Sequence, residues 1–199
     1  MHPALVDAAN NTWDSVRQRW TAYQLLLPGS PSFICQAQAC DAYCCRAYSV
    51  PLGDTEVARM ERASTLPRSR FLESEDGVPL ILPLAQPYLL ARAENCCALL
   101  GPDLGCTQYE GRPDACRLYP HFVLAFEPGE QPRRITAVRD VRAAVAAAAS
   151  GEMPPGAIPL LVGHSECPGF TGPPLGSDAW RDILVSTAAL QYPADVTPL

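Results

Sequence analysis

Nine cysteines punctuate the 199-residue chain, four of them within FICQAQACDAYCC, where Cys35, Cys40, Cys44 and Cys45 end in an adjacent pair. A second pair stands at Cys96 and Cys97, Cys106 and Cys116 flank TQYEGRPDA, and Cys167 sits alone in ECPGF. Thiolate is a soft ligand that suits zinc, copper(I) and iron–sulfur clusters. An odd number of cysteines cannot close into a complete set of intramolecular disulfides. The opening MHPALVDAANNTWDSVRQRW has no basic region followed by an apolar one, and no apolar run is long enough for a bilayer. The expectation is a cytoplasmic protein without membrane insertion, where reducing conditions turn cysteine toward metal binding or thiol chemistry.

Four ligands complete one tetrahedral zinc site or one cubane cluster, so nine thiols exceed a single site. Either two metal sites exist or some thiols support or react. Side chains of neighbouring residues in extended backbone point to opposite faces, so each vicinal pair is expected to divide between two environments. The paired C-x2-C spacing common in structural zinc sites is absent, which favours iron over zinc.

Around the cysteines, Arg112 and Arg117 could donate hydrogen bonds to cluster sulfurs or to an anionic substrate. Equally, they could be structural, bonding loop carbonyls and a carboxylate such as Asp114. Tyr109 and Tyr119 read as core residues. His121 and His164 are possible ligands, His164 the better one for its closeness to Cys167. Asp54 and Glu56 read as helix-start residues, where negative charge is favourable. HExxH, GxSxG, GxGxxG and GxxxxGK[ST] are all absent, so neither a hydrolase nor a nucleotide-binding loop is indicated.

The chain segment GCTQYEGRPDACRLYP, with FICQAQACDAYCC and NCC before it and ECPGF after it, resembles the bacterial CxxCxxCC cysteine-cluster family, the YkgJ-like zinc- or iron-chelating domain. The resemblance runs from about residue 33 to 170. It implies Cys35, Cys40, Cys44, Cys45, Cys97, Cys106, Cys116 and Cys167 as the metal-ligating set, with Tyr109, Arg112, Pro113 and Arg117 around them and Cys96 left over. The opening spacing C-x4-C-x3-C-C departs from the common C-x2-C-x2-C-C and is more similar to that of the flagellin lysine N-methylases. Those longer relatives use S-adenosylmethionine and are associated with a [4Fe-4S] cluster. The implied function is a metalloprotein holding an iron–sulfur cluster or iron, in a redox or small-enzyme role with a redox or protein partner. A zinc-stabilised binding or scaffold module is the alternative, and protein methylation a third.

The elements that must position these residues can be sketched. Trp13, Val16, Trp20, Tyr23 and Leu27 fit one face of a helix expected to pack on the cysteine-rich body. Residues 54 onward read as a helix capped by Asp54 or Thr55, and residues 67–92, rich in proline, as short edge strands. GPDLG is expected to turn a hairpin that brings Cys97 near Cys106, with Pro113 opening a helix that holds Cys116. Residues 137–150 read as an alanine-rich helix stopped by Gly151, and a last helix starts at Ser177. Residues 153–176 read as a proline and glycine loop. The fold expected is α+β, small and loop-rich, with a helical segment at 1–30, a cysteine-cluster domain at 31–172 and a C-terminal helix and tail at 173–199. A hydrophobic content of 48% and a charged content of 18% suit a folded protein. A net charge of −6 with no basic stripe makes nucleic acid an unexpected partner.

Overall fold

The computed structural model describes residues 3–64 and 66–193. In chain order the elements are α1 (Pro3–Val16), a 3-10 turn (Arg17–Arg19), β1 (Tyr23–Leu25), β2 (Pro31–Phe33), a second 3-10 turn (Ala37–Ala39), α2 (Tyr43–Ala47) and β3 (Pro51–Leu52). There follow α3 (Asp54–Ala63), α4 (Arg68–Phe71), β4 (Ser74–Glu75), β5 (Val78–Pro79), β6 (Tyr88–Leu89), β7 (Arg92–Ala93), β8 (Cys96–Cys97) and α5 (Asp114–Leu118). The chain ends with β9 (His121–Phe126), β10 (Arg134–Ile135), α6 (Val138–Ser150), β11 (Ile158–His164), β12 (Phe170–Pro174) and α7 (Ser177–Gln191). The class is α+β with long connections, as the sequence predicts. Two compact units form, one from the chain up to Ile34 and from Pro120 onward, the other from Cys35–Tyr119. No helix among the described residues is long and apolar enough to cross a membrane.

The first unit is built on an antiparallel sheet in the order β1-β11-β9-β10. Alternation along the strands sends Leu124, Phe126, Leu160 and Val162 to one face, where Ala9 and Val16 of α1 cover them. Val123, Ala125 and Leu161 face the other way, against Val141 and Val145 of α6 and Trp180 and Leu184 of α7. Covered on both faces, β11 is buried along its whole length.

That strand corrects the reading of residues 153–176 as a loop. Leu26 N–H donates to Leu161 O at 2.9 Å, so the odd-numbered residues of β11 turn their backbone groups toward β1, which ends opposite Val162. Pro159 stands past that end, and its missing N–H costs no ladder bond. Gly163 lies under Phe170, where a Cβ would come within 2.3 Å of a ring carbon.

The aromatic stripe is corrected too: the helix ends at Val16, Trp20 sits in a turn and Tyr23 begins β1. All five stripe residues still share one apolar cluster, over the sheet of their own unit. The N-cap positions of α3 and α7 are Gly53 and Gly176, one residue before the polar caps expected. Gly151, at φ 82°, ends α6 as expected.

In the second unit the strands are two residues long, paired as β3–β6, β4–β5 and β7–β8. Its core gathers Leu52, Val57, Met60, Phe71, Leu72, Leu90 and Leu99, with Cys97, Cys106 and Cys116 packed against them. Eight cysteines lie in this unit and Cys167 in the first.

Candidate metal centre

In CDAYCC, the buried Ala42 takes a left-handed φ of 52°, a conformation costing an L-residue roughly 1–2 kcal/mol. It starts α2: the amides of Cys45 and Arg46 donate to Ala42 O at 2.9 and 3.1 Å. Cys44 and Cys45 therefore follow one another around a helical turn, and their sulfurs lie 4.0 Å apart. The expectation that this pair divides between opposite faces fails because it assumed extended backbone. Cys96 and Cys97, on a strand, do divide. Cys96 Sγ donates to Ala93 O at 3.1 Å, whereas Cys97 packs on the core and accepts Leu99 N–H at 3.4 Å.

The β7–β8 hairpin turns on Glu94 and Asn95, both at positive φ. It sets Arg92 opposite Cys97. The Arg92 guanidinium donates to Tyr48 O at 2.5 Å, Arg46 O at 2.7 Å and Asn95 O at 2.5 Å, tying the end of α2 to the hairpin. The sequence reading passed over Arg92. Its signal is RAENCC itself, a two-residue turn with Asn at a positive-φ position, which pairs the arginine with the second cysteine.

The GPDLG turn forms as expected. Gly101 N–H donates to Gly105 O at 2.7 Å, and Leu100 bridges Cys106. Pro113 caps α5, whose third residue is Cys116. Two residues of α3 anchor that start. Glu56, 6% exposed, accepts the Asp114 N–H at 2.8 Å on one carboxylate oxygen. Its other oxygen takes the Gly53 N–H at 2.9 Å and the Gln86 amide at 3.2 Å. Arg59 pairs with Asp114 at 2.6 Å and donates to Arg112 O at 3.0 Å. Glu56 thus caps its own helix, as expected, and also holds the cysteine-bearing loop. Gly111 permits the close approach of that loop, since a Cβ there would lie 2.8 Å from Ala63 Cβ.

These supports bring five thiols from α2, β8, the GPDLG hairpin and α5 into mutual influence. The Cys45 sulfur lies 4.0 Å from that of Cys44, and its interactions with Cys44 and Cys97, with burial, push its pKa up. The bond from Cys45 draws Cys44 down to about 6, against burial, with backbone amides and the Arg112 guanidinium adding to it. Cys97 is drawn down to about 7, first by Cys45 and then by the Leu99 amide and Arg92. Burial pushes Cys116 up to about 12 and raises Cys106, and negative charge at Cys97 and Cys44 adds to both.

Arg112 and Arg117 separate in role. The Arg112 guanidinium stacks 3.5 Å over the Tyr109 ring, adds a little to the lowering of Cys44 and partly opposes the burial that raises Cys106 and Cys116. Arg117 pairs with Asp114 at 3.5 Å. Tyr109 is 52% exposed, which corrects its reading as core. Cys35 and Cys40 flank the turn Ala37–Ala39. His164 and His121 lie on β11 and β9 of the first unit, His164 edge-on to Tyr23 and His121 edge-on to Phe33 and Phe170. Cys167 follows β11 in a turn, its N–H on His164 O at 3.1 Å.

Among the described residues, no three Cys, His, Asp or Glu side chains form a ready-made ligand set as they stand. Cys44 and Cys45 instead hold their sulfurs 4.0 Å apart, and the donor chemistry of the unit's thiols fits a soft cation. Cys44, Cys45, Cys97, Cys106 and Cys116 would hold it, binding displacing their protons. Two guanidiniums, Arg92 and Arg112, offset the negative charge of thiolates.

A family model described as "CxxCxxCC: putative zinc- or iron-chelating domain" matches residues 34–141, more than half of the chain and the whole of the Cys35–Tyr119 unit. No curated protein and no solved structure matches the chain. Eight of the nine cysteines fall within the matched span, and the chain belongs to the CxxCxxCC cysteine-cluster family.

Proposed function

We propose that the Cys35–Tyr119 unit binds iron, as an iron–sulfur cluster or as iron alone, through thiolates of Cys44, Cys45, Cys97, Cys106 and Cys116, with Cys35 and Cys40 as further donors on the adjoining loop. The observation that carries this reading is that eight cysteines, more than one tetrahedral site consumes, lie in the Cys35–Tyr119 unit that the family model covers. Iron–sulfur potentials respond to hydrogen bonds and net charge around the sulfurs, so Arg92 and Arg112 are the residues that would tune one. A redox role with an electron or protein partner follows. Protein purified without oxygen should be coloured and carry iron with acid-labile sulfide. A colourless, iron-free, zinc-replete preparation would sink the proposal.

One observation favours zinc as the second reading. The second unit rests on two-residue strands and a small apolar core, the situation in which structural zinc supplies folding energy. Zinc content with no sulfide, and unfolding of this unit on chelation, would establish it.

A further inference from the structure

Between residues 78 and 84 four large aliphatic side chains stand out of the Cys35–Tyr119 unit: Val78 is 67% exposed, Leu80 42%, Ile81 73% and Leu84 59%. Single aliphatic side chains on a surface are ordinary, but four on one loop make a patch of the kind that marks an interaction site. The loop is held in shape. Asp76 and Gly77, both at positive φ, turn β4 into β5, and Leu80 N–H donates to Glu73 O at 2.9 Å. Farther on, Leu82 N–H donates to Pro87 O at 2.8 Å, and the Gln86 amide bonds the Glu56 carboxylate at 3.2 Å. A loop already fixed loses little freedom on binding. Charge of both signs flanks the patch. Glu75 lies directly across the hairpin from Val78 and Asp76 stands at its tip, whereas α4, which leads into its base and packs against β5, carries Arg70. All three are exposed, and none has an ion-pair partner among the described residues.

We propose that this patch is the interface of a symmetric dimer, in which Val78, Leu80, Ile81 and Leu84 of two copies meet. An apolar centre with unpaired acids at one end and an unpaired arginine at the other complements itself when turned about a two-fold axis, Arg70 of one copy meeting Glu75 and Asp76 of the other. Pro79 decides how the copies join. The Leu80 bond puts Pro79 at the outward-turned position of β5, where it offers no N–H to a further strand. Side-chain contact about a two-fold axis therefore closes at two copies, whereas strand addition would not. The patch falls short of the roughly 20–30 residues a side of a standard interface, so the dimer forms and dissociates with concentration. The interface lies in the cysteine unit, but the proposal does not depend on what the cysteines hold.

The test follows the full chain by sedimentation equilibrium at rising concentration, under reductant so that no disulfide joins two copies. The mass should climb from one copy to two and stop there. Ile81→Asp and Leu84→Asp, both at exposed positions, should hold it at one copy, while Val185→Asp at an exposed position of α7 should leave the dimer intact. Arg70→Glu should raise the dimer dissociation constant about tenfold, because one reversal acts twice across a two-fold axis, and adding Glu75→Arg should recover part of that loss. A single-copy mass at every concentration overturns the proposal, as does growth beyond two copies or a dimer indifferent to Ile81→Asp. No recovery in the double variant overturns the charge pairing. A chain that stays single and instead floats with phosphatidylcholine vesicles, losing that in Ile81→Asp, would give the patch to a lipid surface and overturn the dimer.

Discussion

At the scale of single residues, His121 shows how burial of a titratable ring becomes a pH dependence. Its ring lies edge-on to Phe33 at 5.8 Å and Phe170 at 5.7 Å, and Nε2 finds no hydrogen-bond partner among the described residues. Desolvation lowers its pKa from 6.5 to about 4. Between those two values the unfolded chain takes a proton that the native ring refuses. Stability from this group is therefore fully present above pH 6.5 and is lost as pH falls toward 4, by at most about 3 kcal/mol. Urea denaturation of His121→Phe at pH 4.5 and 7.5 should show a smaller loss on acidification than the parent chain. An equal loss would show that the ring is not shielded as described.

At the scale of elements, the cysteine-bearing loop depends on how closely it meets α3. Replacing Gly111 by alanine forces a Cβ to within 2.8 Å of Ala63 Cβ, an overpacking expected to cost about 1–3 kcal/mol. Adding Ala63→Gly to Gly111→Ala should recover part of that loss, and denaturation midpoints of the two variants check it. No recovery would place the strain elsewhere. Elements whose chemistry is local were legible in the sequence: the alanine-rich α6 with Gly151, the GPDLG hairpin, and Pro113 opening α5. Those decided by distant contacts were not. Pro159 and Gly163 look like breakers until β1 stops short of the one and Phe170 covers the other. Helical spacing ran on from Val16 to Leu27, although Tyr23 to Leu25 are claimed by β11. Within the site, the cysteine positions could be read directly, but Glu56 and Arg92 act on residues 58 and 46 positions away, which no local pattern displays.

At the scale of the whole chain, the two units differ in what holds them. The first has a sheet with apolar cover on both faces, and the second has hairpins around a small core that includes three of its cysteines. Chelation should therefore remove amide hydrogen-exchange protection from Cys35–Tyr119 while β9 and β11 keep theirs. Unchanged protection in the cysteine unit would mean that its apolar core suffices without metal. The pairing of Tyr23 with His164 adds a matter of timing. During synthesis β1 emerges early but cannot pair until β11 has left the ribosome, after all of Cys35–Tyr119. The cysteine unit is continuous in sequence and is complete first, so its thiols can meet a metal while the sheet of the other unit still lacks both of its inner strands, β9 and β11.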